Sequence, residues 1–310
     1  MGAEMKKVLL AGASGRLGAE VLNELKRRGY PTRVLGRDAS RLGAESGIEV
    51  FVADARRPEA LGGACEGVDV VVSAMGASLA LGRTRDRARY HDVDYRANLN
   101  LLEEAKRAGV GKFVYVSLHG AEKLRGLAYV DAHEEFVEAL RASGLAYTIV
   151  RPTGFFYVFQ EIFKMAAERG RVMLIGDGSA LTNPVHESDL ACEVVDAVEV
   201  GEREMIVGGP ETYTRREVAE LAFEALGKEP KITSLAPGLV RSMIWPVRFF
   251  DRRLYDFLAF GVAVSTEDVV APPSGRVSLR RYFNSLANGK GQAVNIHLTS
   301  PGRAAETSGS

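Results

Sequence analysis

The chain has 310 residues, 46% hydrophobic and 26% charged, and its 40 basic side chains balance 40 acidic ones. This composition suits a globular protein with a large core, and a balanced charge argues against a nucleic-acid partner. The two cysteines, Cys65 and Cys192, are far apart and lack metal-ligand spacing, which excludes a disulfide framework and points to a reducing, cytoplasmic setting.

An apolar run, Val8 to Ala11, feeds directly into glycines at 12, 15 and 18, after which Val21, Leu22 and Leu25 recur at helical spacing among charged residues. Strand, glycine turn, helix is the arrangement that places a diphosphate on unpaired N–H groups at a helix start. Gly12 is expected to make the tight turn, Gly15 to let backbone approach phosphate, and Gly18 to pack helix on strand. Ser14 adds a hydroxyl, and Arg16 and Leu17 lie in the same turn. The apolar N-terminal run is too short for a signal peptide, and no run is long enough to span a membrane.

Strand-like runs follow near 32–36, 49–53, 68–73, 112–117 and 146–151, separated by helical patterns, the clearest being 15–29, 94–108 and 129–143. Alternation of this kind predicts an α/β fold: a Rossmann-type, doubly wound parallel sheet over residues 1–150. The strands are apolar throughout rather than alternating, as a sheet covered on both faces requires. Ligands on such sheets bind beyond the carboxyl ends of the strands.

The second strand ends at Gly36-Arg37, where an NAD-selecting protein carries an acid for the ribose 2′-hydroxyl. Arg37 suits a 2′-phosphate instead, with Ser40, Arg41 and Arg16 as helpers, so NADP(H) is expected over NAD(H). Asp54, past the third strand, either meets the adenine or caps a turn. Ala74, Met75 and Gly76 are small or flexible residues where a cofactor would pass.

On the 129–143 helix, Tyr129, Ala132, His133, Phe136, Val137 and Leu140 share one face. Ser117 ends the preceding strand. A strand-end Ser and a Tyr on the next helix can point at one substrate oxygen, with Tyr donating a proton during hydride transfer. The same Tyr/His pair also reads as core residues with satisfied polar ends.

From 151 onward the pattern is irregular. Helical segments near 155–169, 187–200, 214–227 and 236–260 and strand candidates at 171–175, 205–207 and 231–234 predict a substrate-side lobe over 151–288, interleaved with the last sheet strands. Residues 289–310 read as a flexible tail. Pro152 and Thr153 are expected beside the cofactor, and Gly154, Phe155 and Phe156 in an apolar substrate pocket. The segment 239–264 is rich in aromatics interleaved with Arg241, Arg248, Arg252 and Arg253. It reads as a lobe helix with its stripe on the core, or as a surface for a lipophilic pocket, a membrane or another subunit. No metal-ligand spacing and no nucleophile elbow occur.

The glycine turn, Val93-Asp-Tyr-Arg-Ala-Asn98, Tyr115-Val-Ser117, Val150-Arg-Pro-Thr-Gly154 and Asn183-Pro-Val-His-Glu-Ser-Asp-Leu-Ala191 resemble the atypical short-chain dehydrogenases/reductases, the NAD(P)H-binding, NmrA-like and isoflavone-reductase-like proteins. The resemblance covers roughly residues 5 to 285. It implies that Gly12, Gly15 and Gly18 bind diphosphate, and that Ser117 and Tyr129 polarise substrate. The family's Tyr-x-x-x-Lys departs here to Tyr129-x-x-x-His133. A His can bond the nicotinamide ribose but, mostly neutral near pH 7, lowers a Tyr pKa poorly. The implied function is an NADP(H)-dependent oxidoreductase for a fairly apolar small molecule. The alternative is a non-catalytic NADP(H)-binding redox sensor, or an assembly or structural subunit.

Overall fold

The computed structural model describes residues 5–41, 47–77, 89–201 and 203–289. The expected 289–310 tail, after its first residue, and the side chain of Arg41 lie outside the described part. Eleven strands are described: β1 (Val8–Ala11), β2 (Thr32–Gly36), β3 (Ile48–Val52), β4 (Val70–Ser73), β5 (Lys112–Val116), β6 (Ala146–Pro152), β7 (Val172–Ile175), β8 (Leu181–Thr182), β9 (Glu204–Val207), β10 (Tyr213–Thr214) and β11 (Ile232–Leu235). The described α-helices are α1 (Arg16–Arg27), α2 (Asn98–Arg107), α3 (Ala128–Ala142), α4 (Phe156–Arg169), α5 (Glu187–Asp196), α6 (Arg215–Ala225), α7 (Pro237–Ile244), α8 (Arg252–Thr266) and α9 (Leu279–Ala287).

Seven strands form the central sheet in the order β3-β2-β1-β4-β5-β6-β9, every neighbouring pair parallel. Strand order reverses at β1, between β2 and β4, and the crevice of a doubly wound sheet opens above that point. Within β1 the side chains divide strictly: Val8 and Leu10 pack with Val21, Leu25, Leu190 and Val194 of α1 and α5, while Leu9 and Ala11 pack with Leu101, Phe113, Phe136 and Leu140 on the other face. Burial on both faces is why the strand carries no polar alternation.

The strand candidate near 205–207 is β9, which pairs with β6 as the seventh strand of the main sheet. The lobe core is a separate cluster in which Phe156, Phe159 and Phe163 of α4 meet Val218 and Phe223 of α6 and Phe283 of α9. Two short pairs, β7 with β11 and β8 with β10, complete the lobe.

Two local features depart from the sequence reading. The helix expected from 94 is preceded by a π-helical turn, His91–Ala97, which runs straight into α2. The stretch expected as one helix over 236–260 breaks at Trp245-Pro246, where a 3-10 turn (Trp245–Phe249) separates α7 from α8. The core-facing stripe expected of 239–264 holds only for its second half. There Phe260, Ala263 and Val264 pack on Leu118, Ala121, Leu124 and Val130, whereas Leu239, Met243, Trp245, Phe249 and Phe250 are exposed.

Candidate functional site

The glycine turn sits at the carboxyl end of β1. Gly12 has φ +93°, and a Cβ there would lie 2.6 Å from the Ala74 carbonyl oxygen. A Cβ on Gly18 would fall on the Gly12 carbonyl, so helix and strand close up only because both are glycine. Gly15 donates to the Gly12 carbonyl at 2.9 Å and is the N-cap of α1. No side chain caps this helix, and its first turn carries no acid. Its leading amides and the positive end of its dipole therefore suit an anion, and the turn fits a dinucleotide diphosphate. Ser14 and Arg16 are exposed beside it, and the Arg16 guanidinium lies 5.1 Å over the Tyr157 ring. Leu17 is half-buried against the sheet core.

Arg37 is exposed just past β2. Asp54 caps the turn at Arg56. Its carboxylate accepts the Arg56 amide at 3.1 Å and is gripped by the Arg56 guanidinium at 2.6 to 3.1 Å. That guanidinium, with a smaller contribution from Arg37, holds the carboxyl below its ordinary range. Ser40, expected to help bind phosphate, is hydrogen-bonded to Asp38 through both its amide and its hydroxyl.

Past β4 the chain runs through Ala74, Met75, Gly76 and Ala77, tied to β1 by the Ala74 amide donating to the Ala11 carbonyl at 3.0 Å. Asp94, from the π-helical turn, lies against this segment. Its Oδ1 accepts the Ala77 amide at 3.0 Å, and a Cβ on Gly76 would sit 3.2 Å from the same oxygen. Ser73 donates to Asn98 at 2.6 Å, and Asn98 donates to the Asp94 carbonyl at 3.0 Å. Asp94 is fully buried, and burial pushes its carboxyl up to about 8. Among the described residues, Asp94 Oδ2 and the Tyr115 hydroxyl are buried without a hydrogen-bond partner.

α3 brings Tyr129 and His133 to this cluster. The Tyr129 ring is enclosed by His133 (4.5 Å between centroids), Phe260 of α8 (4.8 Å) and Tyr90 (5.4 Å). Burial, reinforced by Asp94, raises its phenol well above the ordinary value. His133 is buried, and its Nδ1 stands 3.0 Å from the Tyr129 carbonyl. A carbonyl only accepts, so Nδ1 carries the proton and Nε2 offers a lone pair. Nε2 lies 3.7 Å from Asp94 Oδ1. Burial drops His133 to about 4, so it works on both groups in the same sense, toward a neutral imidazole and a neutral carboxyl. Nδ1 is thus bound to the backbone, while Nε2 faces Asp94 beyond hydrogen-bond length.

Ser117 departs from its expected place. Its hydroxyl donates to Glu134 at 3.3 Å and accepts from Arg151 at 3.5 Å. Glu134 and Arg151 form a buried fork at 2.6 and 3.2 Å, and Arg151 also donates to Glu204 at 3.2 Å. The serine belongs to a charge-balanced network rather than to the Tyr129 cage.

At the end of β6, Pro152 is buried and Thr153 donates to the Asn183 carbonyl at 2.6 Å. Gly154 accepts the Val185 amide at 2.9 Å. Phe155 is half-buried and stacks on Tyr157, centroids 5.4 Å apart, making an aromatic wall that continues to Arg16. Phe156, expected in the substrate pocket, is instead part of the lobe core, packed on His186 and Tyr282. Phe155 is the extended N-cap of α4 and Phe156 its first helical residue, so the chain turns between them and the two rings part.

Sequence reasoning assigned no role to Asp94, Tyr115, Tyr157 or Glu187. The first had a signal: Asp94, Ala97, Asn98, Leu101, Leu102 and Ala105 are spaced as one helical face, and all six are buried. An acid on such a face requires an explanation. Glu187 is buried in the first turn of α5, accepts the Tyr157 amide and is pushed up to about 7 by burial.

Residues 12–199, more than half of the chain, match the model of the NAD(P)H-binding family. The chain belongs to the NAD(P)H-binding family of atypical short-chain dehydrogenases/reductases. Among relatives of this NAD(P)H-binding protein, the rice (Oryza sativa subsp. indica) chloroplastic divinyl chlorophyllide a 8-vinyl-reductase is 30% identical over 259 residues, covering 77% of this chain and 63% of that protein. The chain therefore spans less than two thirds of that relative's length. The photosystem II assembly factor Ycf39 of Trieres chinensis is 22% identical over 268 residues, covering 84% of this chain and 82% of its own. The fold is similar to that of an NADPH-dependent quinone oxidoreductase from Escherichia coli solved with NADPH, with a TM-score of 0.69, 23% identity, and 91% and 94% of the two chains covered.

Proposed function

We propose that this protein is an NADPH-dependent reductase of a fairly apolar, unsaturated small molecule. The observation that carries the reading is the placement of Tyr129: a phenol, protonated at neutral pH like any tyrosine, whose ring is bordered by Tyr90, His133 and Phe260. A bound nicotinamide would supply hydride to the acceptor. Tyr129 would give its proton to the atom that gains negative charge, and so acts as an acid rather than a base. Without the family's Lys nothing lowers the phenol, which favours reduction over alcohol oxidation. Gly12, Gly15 and the open amides of α1 would hold the diphosphate, and Arg37 the 2′-phosphate. The aromatic walls, Phe155 with Tyr157 and Phe260 with Tyr129, support an apolar acceptor. The names of the rice vinyl-reductase and the bacterial quinone oxidoreductase support an unsaturated one.

Calorimetry should find NADPH bound about 10- to 100-fold more tightly than NADH, with Arg37→Ala removing the preference. Equal affinities in the parent protein would refute the phosphate assignment. With quinone or enone acceptors, Tyr129→Phe should lower NADPH oxidation about 100-fold or more and leave cofactor affinity unchanged.

A second reading, cofactor binding without turnover in an assembly role, is favoured by a different observation. The Ser117 hydroxyl and His133 Nδ1 are committed inside the protein. The Ycf39 relatives carry that role in their name. NADPH binding with no oxidation by any acceptor, and no effect of Tyr129→Phe on binding, would select it.

A further inference from the structure

The second half of the lobe carries a surface that neither cofactor nor substrate explains. In α7, Leu239 and Met243 are four residues apart and form one ridge, 54% and 68% exposed. The 3-10 turn continues the ridge with Trp245 (51%) and Phe249 (66%), and Phe250 just beyond is 90% exposed. Val240, Ile244 and Val247 are partly covered and α7 packs on α8, so the unit is folded and anchored while its apolar ridge is bare. Five large apolar side chains are thus exposed within residues 239–250, Trp245 and Phe249 in edge contact at 5.1 Å, a density that soluble surfaces rarely show.

Charge decides what covers it. Arg241 and Arg248 are exposed within the ridge, and Arg248 lies 5.8 Å over Trp245 and 5.4 Å over Phe249. Arg252 follows at the start of α8. Between residues 236 and 250 the only charged side chains are Arg241 and Arg248, and past them Asp251, the N-cap of α8, is outnumbered by Arg252 and Arg253. Exposed aromatics interleaved with arginine, on a short helix lying along the surface, is the pattern of an interfacial segment on an anionic bilayer. The rings enter the headgroup boundary, and the guanidinium groups meet lipid phosphates. A protein-docking face shares the aromatics and arginines; what favours lipid here is that they lie along one short surface helix and turn with no acid between 236 and 250.

We propose that α7, the following 3-10 turn and the start of α8 seat this protein peripherally on an anionic membrane. The same α8 carries Phe260 against Tyr129, so the bilayer surface and the Tyr129 cage are connected through one helix. No helix among the described residues is long and apolar enough to cross a membrane, so the attachment is interfacial.

The chain contains one tryptophan, and it lies in the ridge. Titration of the full chain with vesicles of 70% phosphatidylcholine and 30% phosphatidylglycerol should shift Trp245 emission to shorter wavelength, and the protein should sediment with them. Pure phosphatidylcholine vesicles should bind far less, and added salt should weaken the anionic binding. Phe249→Ser with Phe250→Ser should abolish the shift. Both rings are exposed, and an unchanged thermal transition would confirm that the fold is kept. Arg241→Glu and Arg248→Glu, read by sedimentation because Arg248 touches the reporter, should each reduce binding about fivefold or more. Failure to bind anionic vesicles, or binding untouched by the aromatic substitutions, overturns the proposal. So does a concentration-dependent dimer that buries Trp245 and excludes vesicles. None of these outcomes depends on cofactor or turnover.

Discussion

Two buried polar clusters meet on adjacent residues of α3, and they are built on opposite principles. Glu134 points into a network with Arg151, Ser117 and Glu204 in which charges are paired and lone pairs used. His133 points into a cluster with Asp94, Tyr115 and Tyr129 in which two buried oxygens have no partner and a carboxyl is held protonated. A paired cluster stabilises; an unsatisfied one persists only where something else requires it, as at functional sites. Ser117 thus sits with the paired cluster, and Asp94, His133 and Tyr129 with the unsatisfied one, where the proposed chemistry lies.

The largest effect should come from breaking the paired side. Arg151→Leu strands a buried carboxylate and should cost about 3–5 kcal/mol in urea unfolding, most of it recovered when Glu134→Leu is added. Small loss in the single variant would mean that Glu134 is not held by charge pairing.

The unsatisfied side should show itself in pH dependence. The Asp94 carboxyl is raised to about 8 from an unfolded value near 4, so the native state holds the extra proton and stability falls as pH rises between those values. His133 is depressed to about 4 from near 6.5, so the unfolded state holds the extra proton and stability rises with pH across that span. The two slopes oppose each other below 6.5, leaving a net loss from about pH 6.5 to 8 of about 2 kcal/mol. Asp94→Asn keeps an acceptor for the Ala77 amide and should remove that loss, so the stability difference between variant and parent should change with pH across this window. A difference independent of pH would show that Asp94 is ionised in the folded protein.

Ser117→Ala should have the smallest effect. It removes one long hydrogen bond from a network that remains paired, so stability should change by about 1 kcal/mol or less and turnover by only a few-fold. A collapse of turnover at unchanged stability would show that the serine rotates to the substrate, and the division between the clusters would fail.

Much of the cofactor end was legible in advance, because its requirements are local. Gly12 and Gly18 stand where a side chain would strike backbone, and such constraints leave glycines at fixed spacing whatever else the chain does. The Tyr129 and His133 pairing on one face followed from helical period alone. Orientation at the ends of elements was not legible. Ser117 at a strand end and Phe156 at a helix start could each turn to either side, and partners from distant segments (Glu134 and Arg151 for one, His186 and Tyr282 for the other) decided which.

The sequence by itself determined the parallel sheet, the uncapped α1 start and the residue types at the site. These follow from periodicity, glycine sterics and the loss of a lysine at 133. Only the tertiary structure decided that Asp94 faces His133 and that the 239–250 ridge is bare. Burial is a property of what the remaining chain leaves room to cover, and an apolar stripe reads the same whether it meets a core or faces outward.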